Sequence, residues 1–476
     1  MSTKTTNYQF SKPDGTDALL PDAFNSNFDV LDGKLKEISN AADSANSALG
    51  TVGTKLSQHD TKLSQHDTAL SNAQTKLSEH DTSITELNEK IAGIDTTPRN
   101  IATLAEVLAV LGTVNEPIEP IEPDNPDTPD VPETETNIFG VMWDSSNGST
   151  ACTRLTKGND AFRMVTKNIT SEPVPAVGTG AGSSPFDSFM PWSGIKKRTI
   201  EGNSGSCDMV YIPEFWFAVK TYETEKYFYI ANKAVDGFVK HPGSGKYVGR
   251  YVITEDALSA SGGAPKVNLT RAAARSTAAA AGAKFHLYDF ATHCAVILLY
   301  LVEYADWDSQ RKIGQGRSIA NSIVNTGETD AMTYHTGTTT SRDSTTDSVQ
   351  YRWIENPWGN VYQFVDGFNV KDGVAYYCLE PGKYADNTVD NYTEIGALPN
   401  SNFIKNVAVT DNGLIIPSET GSEETYISDW AQIIKSGMAG MYVGGSRTDK
   451  SGAGLMFCNV TPHTGATVGA RLEYEP

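Results

Sequence analysis

The chain has 476 residues, which is long enough for two or more domains. It carries 38 Lys and Arg against 58 Asp and Glu, and the formal net charge of -20 argues against nucleic-acid binding because it repels phosphate backbones. The sequence has no charged-then-apolar signal segment and no apolar run of about eighteen residues, so we expect a soluble cytoplasmic product without membrane insertion.

The five cysteines are scattered and form no CxxC pair. They are Cys152, Cys207, Cys294, Cys378 and Cys458. An odd number of widely spaced cysteines is typical of buried free thiols, not of a disulfide framework or a zinc site. We therefore expect neither a metal site nor a cofactor.

Residues 1–23 form an N-terminal segment that contains Pro13 and Pro21, with Tyr8 and Phe10 in alternation. The pattern fits a short extended arm, which would be the natural attachment point in an oligomeric fibre. It fits a disordered tail equally well, and both interpretations remain open.

Residues 24–95 repeat apolar side chains with a seven-residue period. One series is Phe28, Leu35, Ala42, Leu49, Leu56, Leu63, Leu70, Leu77, Ile84 and Ile91; the second is Phe24, Leu31, Ile38, Ala45, Val52, His59, His66, Ala73, His80, Leu87 and Ile94. These series predict a left-handed α-helical coiled coil, and about ten heptads would make a rod roughly 105 Å long. Since its apolar stripe would need partners, we expect an oligomeric stalk.

The residues at the repeating positions indicate how many helices the stalk contains. Leu occupies positions where dimers prefer β-branched residues, and His59, His66 and His80 suit a solvated threefold centre better than a dry dimer seam. We therefore expect a homotrimer and leave other oligomers open. The three histidines are either polar layers that fix the register or a pH-sensitive element.

A short helical collar is predicted in residues 96–114. Pro98 ends the stalk helix, and the apolar spacing over residues 101–111 predicts a second helix that stops at Gly112.

An acidic linker follows in residues 115–136, where a proline recurs at every third position from Pro117 to Pro132. Asp and Glu fill most of the gaps. A three-residue proline period matches polyproline II, so we expect a semi-rigid spacer about 50 Å long.

Residues 137–476 are richer in aromatic residues and glycines, and they form one large domain or two closely joined ones. Strands are predicted at 209–222, 227–230, 247–254, 374–379 and 414–417, and helices at 271–281 and 289–304. The first of these segments is densely apolar, which indicates a central strand. A domain with many loops on a small framework of helices and sheets is suited to presenting a surface to a partner.

Several phrases in this region resemble one superfamily. They are MVYIPEFWFAVK (209–220), LLYLVEYADWDSQRKIGQG (298–316), ENPWGNVYQFVDG (355–367) and the closing pair GGS (444–446) and GARL (469–472). The resemblance is to the C-type-lectin-like fold of formylglycine-generating enzymes and phage tropism-determinant proteins, and it covers most of residues 200–476. These motifs are most similar to those of phage tail fibre heads. Residues 7–35 resemble the N-terminal segments of tail proteins from phages of Gram-positive gut bacteria.

The resemblance implies an α+β C-type-lectin-like head that binds a bacterial surface receptor, either a glycan or a protein. The N-terminus would attach the homotrimer to the phage tail or baseplate. The protein would be made in the host cytoplasm and act outside the cell as part of the virion tail. Trp358, Asn360 and Asp366 are expected to be structural, because a tight turn at Gly359 needs a cap and a core beneath it.

In the tropism-determinant family the ligand-facing residues lie before the final GxRL strand, and in some members a retroelement diversifies them. The matching stretch here is residues 442–463, although the run of Asn and Tyr that is usual in such diversified segments is not evident. The residues expected to be exposed and receptor-binding are Tyr442, Ser446, Arg447, Thr448, Asp449, Lys450, Ser451, Met456, Asn459, Thr461 and His463. This composition suits an adaptable binding surface, and it suits an ordinary loop almost as well.

Two other functions were weighed. A bacterial surface adhesin would need an export signal or a wall anchor, and the sequence shows neither. An oxidase of the formylglycine type would need the cysteine pair of that family near the C-terminus, where only Cys458 is present. The histidines outside the repeat are isolated along the sequence: His241, His286, His293, His335 and His463. We therefore do not expect an enzyme.

The stalk hypothesis predicts the molar mass in solution. Light scattering on a sizing column should give three times the chain mass of 51.3 kDa for the full-length protein, because the apolar stripe is buried only in an oligomer. The same measurement on residues 137–476 would show whether the head also associates. A full-length monomer would contradict the coiled coil.

Overall fold

The computed structural model describes residues 3–4, 11–12, 29–31, 33–44, 135–146, 148–423, 427, 429–461 and 467–476. The chain divides into two compact units, residues 1–125 and 126–476, and each is described by itself. The division falls inside the linker predicted at 115–136.

In the first unit, strand β1 (Thr3–Lys4) pairs antiparallel with β2 (Ser11–Lys12), and residues 29–31 and 33–44 are helical. The helical residues fall within the predicted stalk, and Ile38 of its apolar series is 66% exposed in the single chain. A partner helix would cover such a stripe. The rest of the stalk, the collar and most of the linker lie outside the described residues, and the trimer stays a prediction.

The second unit is mostly β-sheet with few helices. Its strands are β3 (Ile138–Asp144), β4 (Thr153–Arg154), β5 (Ala176–Val177), β6 (Lys196–Gly202), β7 (Gly205–Ile212), β8 (Trp216–Tyr222), β9 (Glu225–Ala231), β10 (Val239–Lys240), β11 (Lys246–Val252), β12 (Phe285–Leu287), β13 (Gly337–Thr338), β14 (Val349–Tyr351), β15 (Ile354–Glu355), β16 (Tyr362–Lys371), β17 (Val374–Tyr377), β18 (Thr393–Ala397), β19 (Asn402–Val409), β20 (Ile415–Thr420), β21 (Trp430–Ile433), β22 (Met438–Val443), β23 (Cys458–Thr461) and β24 (Val468–Tyr474). The α-helices are α1 (Arg271–Ala280), α2 (Phe290–Tyr304) and α3 (Ser309–Lys312). Short 3-10 turns span Pro185–Ser188, Trp192–Gly194, Pro381–Lys383 and Lys450–Gly452.

The strands form one long sheet and two smaller ones. The long sheet runs in the order β20-β19-β21-β23-β22-β16-β24-β11-β7-β6, with β12 added beside β24 and the β17–β18 hairpin beside β16. A five-stranded sheet has the order β10-β8-β9-β3-β4, and a four-stranded sheet has the order β15-β14-β13-β5. Most pairs are antiparallel, but three are parallel among the described strands: β16 with β24, β21 with β23, and β13 with β5.

Helix α2 is the centre of the core, because each of its side chains is buried. It packs on β16 of the long sheet and on β3 and β9 of the five-stranded sheet. The Asp289 carboxylate caps its first turn by accepting a hydrogen bond from the Thr292 amide at 2.7 Å, and Ala305 ends it in the left-handed conformation. The sequence predicted this helix from one apolar face, whereas the structure encloses it on all sides.

Helix α1 covers the opposite face of the long sheet and packs on β12, β16 and β24. Neighbouring residues along a strand therefore enter different cores, since side chains alternate across a sheet. Phe364 belongs to the cluster beside α1, and Val365 belongs to the cluster around α2. We call these two sides the α1 face and the α2 face.

The segment 209–222, predicted as one central strand, is two strands in different sheets, so that prediction was wrong. β7 lies between β6 and β11 in the long sheet, and β8 lies between β9 and β10 in the five-stranded sheet. Pro213 separates them, because its missing N–H cannot continue a ladder. The other segments agree within a few residues: 227–230 lies within β9, 247–254 overlaps β11, 374–379 overlaps β17, 414–417 overlaps β20, and the two predicted helices match α1 and α2.

The turn formed by Trp358, Gly359 and Asn360, called the WGN turn below, is buried and hydrogen-bonded, as a structural role requires. The indole N–H of Trp358 donates to the Gly314 carbonyl at 3.2 Å, and the Asn360 amide exchanges two hydrogen bonds with the backbone of Val324. Gly359 has a φ of +77°, and a Cβ there would lie 2.8 Å from the Arg317 backbone. The turn therefore needs glycine at this position.

Five free cysteines were expected, and the structure has five. Cys207, Cys294, Cys378 and Cys458 are buried, whereas Cys152 is only half-buried. Burial raises the pKa of the Cys458 thiol to about 12, which keeps it protonated and unreactive at neutral pH.

A buried charge cluster joins β11, the start of α2 and β24. The Lys246 ammonium lies 2.9 Å from Asp289 Oδ2 and 2.8 Å from Glu473 Oε1, and Glu473 Oε2 accepts the Asp289 amide at 3.0 Å. Two carboxylates thus share one cation. Burial and the charge of Asp289 raise the pKa of Glu473 to about 7, despite the opposing effect of Lys246.

This cluster predicts a stability that changes with pH. The pKa of Glu473 rises from an ordinary 4.5 to about 7 on folding, so the folded protein retains a proton that the unfolded chain releases. Stability should therefore fall as pH rises from about 5 to 7, by up to about 1.4 kcal/mol per pH unit. Glu473→Gln, which stays neutral, should flatten this dependence and be at least as stable as the wild type at pH 8.

Urea unfolding followed by tryptophan fluorescence would measure this effect, since all seven tryptophans lie between residues 143 and 430. Glu475→Gln is the matched control, because Glu475 is half-exposed and 3.7 Å from Lys246. Equal pH dependence of Glu473→Gln and the wild type would refute the assignment.

Candidate functional site

The segment expected to bind a receptor leaves β22, turns at Gly444 and Gly445, and returns along β23. Gly444 has a φ of +84°, and a Cβ there would lie 2.6 Å from the Pro357 carbonyl oxygen. The glycines therefore let the segment fold back against the WGN turn, where the Gly359 amide donates to the Gly444 carbonyl at 3.1 Å.

Three residues expected to be exposed are buried, so the sequence prediction was wrong for them. Tyr442 lies on the α1 face, where its ring packs 4.7 Å from that of Tyr362. The Ser446 hydroxyl points inward and donates to the Asp449 carboxylate at 2.8 Å. Met456 belongs to the α2 core, where apolar packing holds its side chain. None of the three side chains presents a surface to a receptor.

The remaining residues of the expected set have different positions. Thr448 and Lys450 are exposed, whereas Arg447, Asp449, Ser451 and Asn459 are half-buried. Thr461 is the last residue of β23, and His463 lies outside the described residues. Over the part of the segment whose burial the structure describes, the exposed residues therefore lie in the loop 447–451.

Asp449 organises this loop from within. Its carboxylate accepts the Ser446 amide at 2.6 Å and the Tyr362 hydroxyl at 2.9 Å. The backbone of Lys450 is held from both sides, since its amide donates to the Ser318 carbonyl at 3.1 Å and its carbonyl accepts from the Gln310 side chain at 3.1 Å. The loop is thus fixed while the Lys450 side chain extends into solvent.

Arg447 ties the loop to a second loop, residues 318–320. The Arg447 guanidinium donates to the Ala320 carbonyl at 2.7 Å, and the Ala320 amide donates to the Arg447 carbonyl at 2.8 Å. Ile319, between the bonded residues of that loop, is 49% exposed. We call residues 447–451 and 318–320 together the loop surface.

A buried carboxyl group supports the return of the chain towards β23. Asp429 Oδ2 accepts the Met456 amide at 2.7 Å, and burial raises the pKa of Asp429 well above its ordinary value. The Leu455 amide donates to the Ser309 hydroxyl at 3.0 Å. Both bonds anchor residues 455–456 to the core, which leaves the loop surface as the accessible part.

Sequence reasoning missed an aromatic pair beside the loop surface. Phe403 and Trp430 are half-buried cross-strand neighbours on β19 and β21, with ring centroids 5.2 Å apart at 89°. A Cβ on Gly452, at the end of the loop, would lie 3.1 Å from Trp430 Cβ. The only signal in the sequence is that Trp430 and Gln432 alternate with apolar residues, which is weak over four residues.

His335, which is isolated along the sequence, lies beside two charged side chains in the fold. Its Nε2 lies 3.0 Å from Asp187 Oδ1, which is also 2.9 Å from the buried Arg352 guanidinium. Burial opposes ionisation of Asp187, but the bond from His335 and the charge of Arg352 lower its pKa to about 2. Thr336 lies 2.8 Å from His335 Nδ1, yet its hydroxyl is fully buried and accepts the Arg352 amide. The group therefore has no nucleophile that a substrate could reach.

A cleft of about 470 Å³ lies elsewhere on the head. Its lining includes Glu214, Lys240, His241, Lys246 and Glu475. Burial lowers the pKa of His241 to about 4, so its imidazole is neutral at physiological pH. Lys246 is paired with Asp289 and Glu473, so its ammonium is already engaged within the fold.

A scan of the sequence against protein-family models found no match, and a search of curated proteins found no similar chain. Over the described ranges, no three His, Cys, Asp or Glu side chains converge on a point that could hold a metal ion. In the same part of the chain, no helix is both long and apolar enough to cross a membrane.

The role of Asp449 can be tested by hydrogen exchange. Asp449→Ala removes the acceptor for the Ser446 amide and the Tyr362 hydroxyl, so amides of residues 446–452 should exchange about tenfold faster, with a loss of about 1–3 kcal/mol in stability. Lys450→Glu is the control, because it changes an exposed side chain and leaves the backbone bonds intact. Unchanged exchange in Asp449→Ala would show that the loop is held by its backbone alone.

Proposed function

We propose that this protein is a phage tail fibre or receptor-binding protein. The N-terminal arm attaches to the tail, a trimeric coiled coil carries the head, and the head recognises a receptor on the bacterial surface. The observation that carries the proposal is the loop surface. Hydrogen bonds hold this segment against a rigid core, and the segment still presents side chains to solvent. Binding residues on a rigid scaffold lose little conformational freedom when they engage a partner.

We further propose that the head has the C-type-lectin-like fold. The support is the placement of the motif phrases: the WGN turn leads into β16, which pairs with both β22 and β24, the strands that contain or adjoin the GGS and GARL phrases. The motifs are thus neighbours in the centre of one sheet. The fold does not by itself define the ligand, so the function rests on the loop surface.

The proposed mechanism is multivalent. Three heads on one stalk would contact the same cell, and after the first contact the second and third occur at a high effective concentration. Weak single contacts would then produce tight attachment. The acidic proline-rich linker at 115–136 would extend the reach of each head, since a polyproline II segment is semi-rigid.

Within the loop surface, Thr448 and Lys450 are the residues that can touch a receptor without rearrangement, because they are exposed and their backbone is already bonded. Arg447 and Asp449 instead hold the loop in position. A receptor would therefore meet one hydroxyl, one ammonium and the apolar side chain of Ile319. This mixture can recognise either a protein or a glycan.

The proposal predicts that Lys450→Glu weakens cell binding. Reversing an exposed charge at the contact should reduce the affinity of each head about tenfold, and the loss would be larger in the trimer. Labelled full-length protein would be measured by flow cytometry on a panel of Gram-positive gut bacteria. Lys371→Glu is the matched control, because Lys371 is also exposed but pairs with Met438, at the opposite end of β22. Equal binding of both variants would remove the loop surface from the receptor site.

A further inference from the structure

On the α1 face of the long sheet, α1 packs on β16 and β24, and within the described ranges Phe403 of β19 and Trp430 of β21 are half-buried. Phe403 and Trp430 both belong to that face because Ala431, the next residue, enters the α2 core. Their rings meet edge to face at 5.2 Å, which fixes the orientation of the indole. A planar aromatic face is therefore held at the surface.

Polar groups on the same face border the indole. Gln432 follows Trp430 by two residues, so both side chains project from one side of β21, and Gln432 stands opposite Asn459 of β23 in the strand register. Neighbouring strands lie about 4.8 Å apart. The two amide side chains thus leave the same face of the sheet at a spacing similar to the width of one sugar ring.

The charged neighbours of the aromatic pair are already engaged. Lys405 forms an ion pair with Glu419 at 2.5 Å, and Glu423 accepts a hydrogen bond from the Ser451 hydroxyl. A neutral ligand leaves these contacts intact, and its hydroxyl groups can still accept hydrogen bonds from the exposed Lys450 ammonium. The chemistry around the rings therefore favours a neutral partner rich in hydroxyl groups.

We propose that Phe403, Trp430, Gln432 and Asn459 bind a neutral saccharide of the bacterial surface. A sugar ring lies on the indole of Trp430, because its polarised C–H bonds are attracted to the negative face of the aromatic system. Gln432 Oε1 accepts the Trp430 indole N–H at 3.4 Å, which holds the amide beside the ring. The amide groups of Gln432 and Asn459 carry both donors and acceptors, which matches the hydroxyl groups of a sugar. This inference rests on the proposed function, and it names the class of receptor.

The shape of the site agrees with this ligand. The aromatic pair lies on a partly exposed strand surface next to the loop surface, and small apolar ligands instead require a concave pocket that encloses most of their area. A polysaccharide chain could extend from Trp430 across Ser451 towards Lys450, since Gly452 brings the loop against the indole. The aromatic pair and the loop surface would then form one continuous site.

The test uses full-length protein and two probes. The first is an array of purified bacterial surface polysaccharides, and the second is a panel of bacterial cells before and after periodate, which cleaves the vicinal diols of sugars. Trp430→Ala and the milder Gln432→Leu are compared with the wild type. Trp216→Ala is the matched control, because Trp216 is a half-buried tryptophan in β8 of the other sheet. Unfolding midpoints establish that each variant is folded.

We expect the wild type to bind a polysaccharide and periodate to reduce cell binding. Trp430→Ala should weaken both interactions about tenfold or more, and Gln432→Leu should weaken them severalfold, while Trp216→Ala stays within about twofold of the wild type. Cell binding that survives periodate and is lost after protease treatment would overturn the saccharide and leave receptor binding in place. Polysaccharide binding without cell binding would support the saccharide and overturn the proposed function. Binding to neither probe would overturn both.

Discussion

The fold of the head depends on the burial of helix α2 on all of its sides. Helix α2 carries Glu303 into this apolar interior, and an unpaired charge there would cost several kcal/mol. The Glu303 carboxylate is instead met by four donors, from Ser184, Tyr351 and both ends of the Arg352 guanidinium. The turn at residue 184 and the hairpin between β14 and β15 are therefore placed by the need to satisfy one buried carboxylate.

That requirement explains an unusual hairpin. Arg352 and Trp353 form its two-residue turn with φ values of 46° and 71°, a conformation that normally selects Asn and Gly. Each costs about 1–3 kcal/mol as a bulky residue in the left-handed region. The buried bonds from Arg352 to Glu303 and Asp187 offset this strain. A glycine at 352 would relax the turn, but it would leave Glu303 without its cation.

Parts of this arrangement are visible in the sequence. Helices α1 and α2 could be predicted almost to the residue, because Thr270 and Asp289 are strong N-caps and the helices follow at once. Pairing between distant strands could not be predicted, so the division of residues 209–222 between two sheets was missed. Residues 442–463 do include an exposed loop, as the sequence indicated, but the burial of Tyr442 and Met456 depends on which face their strands and turns present. The aromatic pair was missed because Phe403 and Trp430 meet only through the register of β19 and β21.

The hydrogen bonds that hold the loop surface determine which of its residues can be substituted without loosening the loop. Most of them involve backbone groups of residues 446–452, and the contributing side chains include Asp449, Arg447, Ser446 and Thr448. The Thr448 hydroxyl lies 3.1 Å from that of Ser446, whereas the Lys450 side chain extends into solvent. A substitution at Lys450 therefore alters the surface without removing one of these bonds. On β21 the buried contacts come from Ala431 and Ile433, whereas Gln432 Oε1 accepts a hydrogen bond from the Trp430 indole N–H at 3.4 Å. Exposed positions can therefore change the chemistry of this surface while the core, centred on α2, stays the same.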